Sequence, residues 1–361
     1  MENTFFDVMD VISKMDISDV HIWEDTKIAV RNALWEIVYL DEELSRDEIF
    51  GFTNSIFHHT QIDDFLNGQE IDIAYEHGDV RYRVNVYHDV RWVNLAMRKI
   101  TAAPPTLEEI HMPSNLNNLY LKDKWLILVT GPTGSGKSTT LAAIIQYINK
   151  TRRCHIITLE DPIEYMYKQD KALITQREVG KSTLSWANGI KYSLRQDPDV
   201  IMIWEMRDQE TIAAALTLVE TGHLVLGTLH TVNAMQTITR VIDVFPPHQQ
   251  SQIAVQLSMT LEAVISQRLI SRKDKKWRVA VREIMLQNTA IANLIREKKV
   301  PQMYSVMETQ IQSGMVTMDH ALARLVATEQ IDINTAASKV KNTSGFVELI
   351  NYYKSKQQND D

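Results

Sequence analysis

Ten consecutive residues, Gly131-Pro132-Thr133-Gly134-Ser135-Gly136-Lys137-Ser138-Thr139-Thr140, carry glycines, a lysine and hydroxyls in the spacing G-x-x-x-x-G-K-[ST]. An apolar run of β type, Trp125-Leu126-Ile127-Leu128-Val129-Thr130, precedes them, and Thr140-Leu141-Ala142-Ala143-Ile144-Ile145 continues as a helix. Glycines let backbone N–H groups close around a pyrophosphate, and the start of the helix adds a positive dipole. A lysine at position 137 reaches the β- and γ-phosphates, and a serine hydroxyl at 138 holds Mg²⁺. The ligand implied is ATP with Mg²⁺, contacted by Gly131, Thr133, Gly134, Ser135, Gly136, Lys137, Ser138 and Thr139.

The elements around this loop decide what else reaches the phosphates. Apolar runs at 125–130, 155–159, 200–204 and 224–229 alternate with helical stretches, which predicts an α/β fold with a parallel sheet. Ligands of such sheets lie beyond the carboxyl ends of the strands. After Leu159 comes Glu160-Asp161-Pro162-Ile163-Glu164, after Trp204 comes Glu205-Met206-Arg207-Asp208, and after Leu229 comes His230-Thr231. Acids often cap helices and a strand-end histidine is often a bystander, but all of them together suit phosphoryl transfer, which needs charge neutralisation and an oriented water. Glu205 takes Mg²⁺ and the attacking water, Glu164 is the alternative or additional water-orienting carboxylate, and His230 senses the γ-phosphate.

A cation for the transition state is still needed, and Arg81, Arg83, Arg91 and Arg98 are the candidates. In Asp79-Val80-Arg81-Tyr82-Arg83-Val84-Asn85-Val86-Tyr87, period two places Arg81, Arg83, Asn85 and Tyr87 on one strand face and Tyr82, Val84 and Val86 on the other. Either this is a solvated basic face on a half-buried sheet, or it completes a nucleotide site from another domain.

Composition bounds the rest. A chain of 361 residues, 44% hydrophobic and 23% charged, has room for two or three domains with a substantial core. No apolar run approaches the roughly 20 residues that span a bilayer, and the first residues, Met1-Glu2-Asn3-Thr4-Phe5-Phe6-Asp7, are acidic where a signal peptide is basic. The single cysteine, Cys154, excludes an internal disulfide and a multi-cysteine zinc site, so a reducing cytoplasm is expected. A net charge of −8 argues against broad nucleic-acid binding. Residues 1–100 look mixed α/β, with a helix at 5–12, strands at 20–23 and 28–31, a helix at 46–57 and a strand at 92–100. Thr101-Ala102-Ala103-Pro104-Pro105-Thr106 is the best boundary. Past Val264 the β runs thin out, 277–286 being the last, and helices are expected at 289–297, 318–328 and 335–340. The expected division is therefore a domain at 1–100, a linker at 101–118, a core at 119–270 and a mainly helical region at 271–361.

These segments resemble a known family. The loop, Thr158-Leu159-Glu160-Asp161-Pro162-Ile163-Glu164-Tyr165, Glu205-Met206-Arg207-Asp208 and the run 220–231 ending Thr228-Leu229-His230-Thr231 are similar to the Walker A, Asp, Walker B and His boxes of the type II/type IV secretion ATPases. Within that superfamily the chain resembles the type IV pilus retraction ATPases, PilT and PilU. Arg240-Val241-Ile242-Asp243, Ser266-Gln267-Arg268-Leu269 and Ala290-Ile291-Ala292-Asn293-Leu294-Ile295-Arg296-Glu297 strengthen the match, which covers residues 78–330 well and the first 75 loosely. The resemblance implies a RecA-like P-loop NTPase core, an N-terminal PAS-like domain and a C-terminal helical segment. It implies a cytoplasmic homohexamer that hydrolyses ATP, retracts pili for twitching motility and works at the inner-membrane face on a platform protein, with a second retraction ATPase as a further partner. Nucleic acid and direct membrane insertion are not implied. Glu164 and Glu205 match the family's catalytic glutamates, Arg81, Arg83, Arg91 and Arg98 its phosphate-reaching arginines, and His223 and His230 its His-box positions. Three departures stand out. Trp204 replaces a glycine, Ala292 replaces an arginine, and Trp23-Glu24-Asp25-Thr26-Lys27 lacks the usual glycines and prolines. The alternatives are a secretion or conjugation motor of the same superfamily, and a weakly hydrolysing accessory subunit of a retraction motor.

Overall fold

The computed structural model describes residues 5–32, 36–57, 59–78, 80–90, 92–100, 103–274, 277–340 and 343–360. Backbone contacts divide the chain into two compact units, Met1–Ala103 with Glu164–Met166, and Pro104–Ile163 with Tyr167–Asp361.

The first unit is built on an antiparallel sheet of β1 (Ile17–Trp23), β2 (Lys27–Asn32), β3 (Ile37–Glu43), β4 (Ile71–His77), β5 (Val80–Asp89) and β6 (Trp92–Ile100), in the order β3-β2-β1-β6-β5-β4. Helix Phe5–Lys14 presents Phe5, Val8, Met9 and Ile12, an i, i+3, i+4, i+7 stripe, to the core. Helix Arg46–Ile56 starts at a capping box in which Ser45 and Glu48 satisfy each other's backbone N–H groups. The alternation expected in β5 is present, with Tyr82, Val84 and Val86 buried against those helices. On the other face Arg83 pairs with Asp72 at 3.0 Å and Arg98 with Asp19 at 2.8 Å. These pairs and His21 border an open cavity of about 300 Å³.

The second unit holds a seven-stranded sheet of β7 (Trp125–Thr130), β8 (His155–Glu160), β9 (Leu173–Glu178), β10 (Val200–Ile203), β11 (Leu224–Leu229), β12 (Leu261–Ser271) and β13 (Arg278–Leu286), ordered β13-β12-β7-β11-β10-β8-β9. Only the β12–β13 pair is antiparallel. Both faces are covered, as a parallel sheet requires. Leu126, Leu128, Ile201, Ile203 and Val225 face helices Gln209–Glu220, Ala234–Asp243 and Pro247–Thr260, while Ile127, Val129, Val200, Met202 and Leu226 face helix Lys137–Thr151. The predicted strands 125–130, 155–159, 200–204 and 224–229 are therefore the sheet's centre. β12 carries the sheet across residue 270. No Gly or Pro separates it from the preceding helix, and Glu262, Ser266, Gln267 and Arg268 interrupt its apolar run.

Beyond β13 the described residues are mainly helical, and helices Met318–Ala327 and Thr343–Asp360 form a separate small core with Ile270, Val279 and Val281. Buried Glu283 ties this region to the sheet. Its carboxylate accepts from the Ala234 N–H at 2.8 Å and the Met318 N–H at 3.4 Å, the first backbone donors of two helices. Hydrogen bonds to a charged acceptor contribute about 1.5–3 kcal/mol each, so Glu283→Ala should cost roughly 3–5 kcal/mol. Thermal melting should register a fall of about 6–20 °C.

Candidate active site

β7 ends in the phosphate loop because the sheet's centre delivers it there. The Gly131 N–H donates to the Leu229 carbonyl at 3.2 Å, which keeps the loop's first residue beside the end of β11. A side chain at 131 would meet the Gln267 carbonyl oxygen at 2.3 Å, so only glycine fits. Gly136 begins the helix Lys137–Thr151 at φ 82°, a left-handed conformation that glycine adopts without strain. Lys137 is 8% exposed and folds back over the loop, its Nζ donating to the carbonyls of Gly131 (2.8 Å) and Pro132 (3.2 Å). Ser135 Oγ is buried in the same turn without a hydrogen-bond partner. A close-wrapped loop, an orphaned hydroxyl, a helix N-terminus and a lysine fit a polyphosphate.

Glu205 and His230 come to the same edge from the next two strands. Oε1 of Glu205 accepts from His230 Nε2 at 3.1 Å and from the Arg207 guanidinium. Strand register explains the meeting, since Ile203 of β10 lies opposite Gly227 of β11 and Leu229 lies opposite Thr130 of β7. Thr133, Glu205, Met206, Arg207, Leu229, His230, Thr231 and Arg240 line one open cavity of about 580 Å³. For Mg²⁺ the donors at hand are hard oxygens, the Ser138 hydroxyl and the Glu205 carboxylate. Among the described residues no cluster of three or more His, Cys, Asp or Glu could hold a metal alone. That donor set suits an ion taking most of its ligands from phosphates and water.

Burial lowers the His230 pKa below its ordinary 6.5, and the Lys137 and Arg207 charges lower it further, against the opposing pull of Glu205. Burial and the two cations thus favour the neutral ring, whose Nε2 lies 3.1 Å from Glu205 Oε1. As pH falls below about 6.5 an unfolded chain takes up this proton first, so acidification weakens the folded site. In histidine-labelled protein, NMR titration should place the His230 midpoint below 6.5, and Lys137→Ala should move it upward. A midpoint at or above 6.5 in wild type would contradict this electrostatic account.

The other site candidates divide. Arg81, Arg83 and Arg98 belong to the first unit, as does Glu164 by its backbone contacts. Arg91 lies outside the described residues. His223 precedes β11, at the amino end of the strand whose carboxyl end carries His230, about 20 Å away by strand rise. Its Nδ1 faces the Leu218 carbonyl at 2.9 Å and Thr221 Oγ1 at 3.1 Å, so it is not brought to the loop of its own chain. Trp204 packs on the same face of the sheet as helix Lys137–Thr151, and its carbonyl accepts from the Thr228 hydroxyl. Ala292 lies half-buried on helix Thr289–Arg296, whose Ile291 and Ile295 enter the core. Sequence reasoning assigned nothing to Arg207, Arg240 and Gln267. The one available signal was position, because Arg207 falls just past a strand end.

A phosphate loop at the carboxyl end of a central parallel strand, with an acid and a histidine on the neighbouring strands, defines a P-loop nucleotide-binding α/β protein. The chain belongs to the family described as type II/IV secretion system protein, whose model matches residues 71–353. It is 45% identical over 305 residues to a twitching motility protein of Neisseria gonorrhoeae (84% of this chain, 82% of that protein). It is 44% identical over 304 residues to the type IV pilus retraction ATPase PilT of Pseudomonas aeruginosa (84% and 88%). It is 40% identical over 298 residues to PilU of the same organism (82% and 77%). A crystal structure of the pilus retraction motor PilT with bound ADP superposes with a TM-score of 0.87 at 38% identity, covering 94% of this chain and 98% of that one. The resemblance seen in the motifs and the expected α/β class are both borne out.

Proposed function

We propose that this protein is a ring-forming, Mg²⁺-dependent ATPase that powers type IV pilus retraction and hence twitching motility. The observation that carries the reading is the convergence of Lys137, Glu205 and His230 at one sheet edge, in a chain 44–45% identical to a twitching motility protein and a retraction ATPase. Gly131, Thr133, Gly134, Ser135, Gly136, Lys137, Ser138 and Thr139 bind the phosphates, and Lys137 exchanges its loop carbonyls for phosphate oxygens. Ser138 and Glu205 would hold Mg²⁺, which would neutralise phosphate charge. Glu205 also orients the attacking water with Glu164 assisting, and His230 fixes the Glu205 carboxylate.

The division of labour proposed is a PAS-like domain at 1–100, a linker at 101–118, a RecA-like core at 119–270 and a C-terminal region at 271–361. Arg81, Arg83, Arg91 and Arg98 supply the transition-state cations, and Arg83 and Arg98 must leave Asp72 and Asp19 to do so. His223 serves a nucleotide only if the ring brings its edge of the sheet to a neighbouring subunit. The assembly is a homohexamer on the cytoplasmic face of the inner membrane, acting on a platform protein beside a second retraction ATPase. No described helix is long and apolar enough to cross a membrane.

The deciding experiment is twitching motility and surface-pilus counting in a Lys137→Ala strain. Excess pili with lost motility is expected. Bald cells would indicate an extension role, and unchanged pili with lost secretion a secretion motor.

Trp204 favours a second reading, that of an accessory subunit with slow turnover, because its indole directly precedes Glu205 where the family has glycine. A wild type turning over near 1 s⁻¹ or faster, within the ordinary enzyme range, and a Trp204→Gly variant no faster would dismiss it. A rise of about tenfold or more in Trp204→Gly would favour it.

A further inference from the structure

The buried side of the phosphate loop is held by a residue far along the chain. Gln267 lies in β12, next to β7, where Ser266 stands opposite Thr130. Gln267 is 2% exposed, and both ends of its amide are hydrogen-bonded. Oε1 accepts from Thr140 Oγ1 at 2.8 Å and from Arg282 Nε at 2.8 Å, while Nε2 donates to the Ser135 carbonyl at 2.6 Å. The two ends of a glutamine amide are normally hard to tell apart, but here chemistry assigns them. An arginine can only donate, so the atom facing Arg282 is the oxygen and the nitrogen must point at the loop. Gln267 also fills space that the loop leaves open, with its backbone oxygen 2.3 Å from a Cβ at Gly131 and its Nε2 2.8 Å from a Cβ at Gly136. One residue thus touches the beginning of the loop, its middle and the first turn of the helix.

Arg282 of β13 is the key to that orientation. It is buried, and its Nη1 donates to the His111 carbonyl at 3.3 Å, in the segment that follows the prolines at 104 and 105. No acid pairs with it among the described residues. A buried guanidinium without a carboxylate is costly, and it adds positive potential one side chain away from the loop.

We propose that Gln267 is a positioning residue for the phosphate loop and that Arg282 holds the Gln267 amide in the orientation the loop requires. The pair sets loop geometry for nucleotide binding without touching the nucleotide. This deepens the nucleotide reading of the loop and rests on it.

The test measures ATP hydrolysis, binding of a fluorescent ADP and thermal melting for the full chain and its variants. Gln267→Met should raise KM for ATP and Kd for ADP about tenfold, the cost of one lost hydrogen bond of about 1.4 kcal/mol, with kcat within about threefold. Gln267→Glu keeps acceptors for Arg282 and Thr140 but has no donor for the Ser135 carbonyl. It should melt no lower than wild type yet show the same rise in KM, which a merely structural role would not produce. Arg282→Met should act in the same direction, Arg282→Lys should not restore affinity because it lacks the guanidinium fork, and the double Met variant should bind no more weakly than the weaker single. KM and Kd within twofold of wild type in Gln267→Met and Gln267→Glu, or fully additive effects in the double variant, would overturn the proposal. Should the Arg282 variants not fold, the two Gln267 variants decide alone. Failure of wild type to bind ADP would instead strike the nucleotide reading itself.

Discussion

Lys137→Ala should lower kcat/KM for ATP by at least about 10³-fold, the scale of removing one aligned charged donor from a phosphoryl-transfer site. The lysine lies under the loop, against the carbonyls of Gly131 and Pro132, so its charge is already desolvated where the phosphates would approach. Truncation leaves the glycine-permitted loop shape in place, because Gly131 and Gly136 owe theirs to Gln267 and to backbone conformation. The melting temperature without nucleotide should therefore change by only a few degrees. The response to nucleotide is what disappears. In wild type, ADP at about 100 times its Kd should add about 2.7 kcal/mol of stability, or roughly 5–10 °C on the scale of this unit. At the same concentration the variant should gain nothing measurable. Turnover that survives in Lys137→Ala would remove the loop from the mechanism, and a collapsed melting temperature would make the lysine structural instead.

Much of this site was legible because its signals are local. The glycine–lysine spacing lies within ten residues, and the strands that flank it are apolar runs buried on both faces, so their ends could be counted. The same counting separates His223 from His230, since one precedes β11 and the other follows it. Pairing between distant segments was illegible. Asp19 and Asp72 reach Arg98 and Arg83 only because β1 joins β6 and β4 joins β5 in the folded sheet. Gln267 was hidden for a related reason. Its polar neighbours disguise β12 as a weak strand, yet two of those polar groups find partners across the sheet, Ser266 with Thr130 at 2.8 Å and Gln267 with Arg282 at 2.8 Å. β3 and β4 escaped notice because their exposed positions dilute the apolar pattern.

Binding and chemistry should separate at Glu205. Glu205→Gln is expected to lower kcat by about 10²–10⁴-fold, the range for loss of a positioned general base, with Kd for ADP within a few-fold of wild type. The carboxylate stands at the end of β10, accepts from His230 Nε2 and is closed upon by Arg207. An amide at this position keeps the volume and one acceptor oxygen, so the packing of Met206 and Trp204 in the cores on either face of the sheet need not change. What it loses is the negative charge that draws Mg²⁺ and a water proton, and that balances Arg207 and Lys137. His230 provides an internal check on the same variant. Glu205 is the group that raises the His230 pKa against burial and the two cations, so neutralising it should shift the His230 midpoint further down while Lys137→Ala shifts it up. Opposite movements in the two variants would establish that loop lysine, strand-end acid and histidine form one electrostatic unit. A kcat loss in Glu205→Gln with an unmoved His230 would leave the acid catalytic but place the histidine outside that unit.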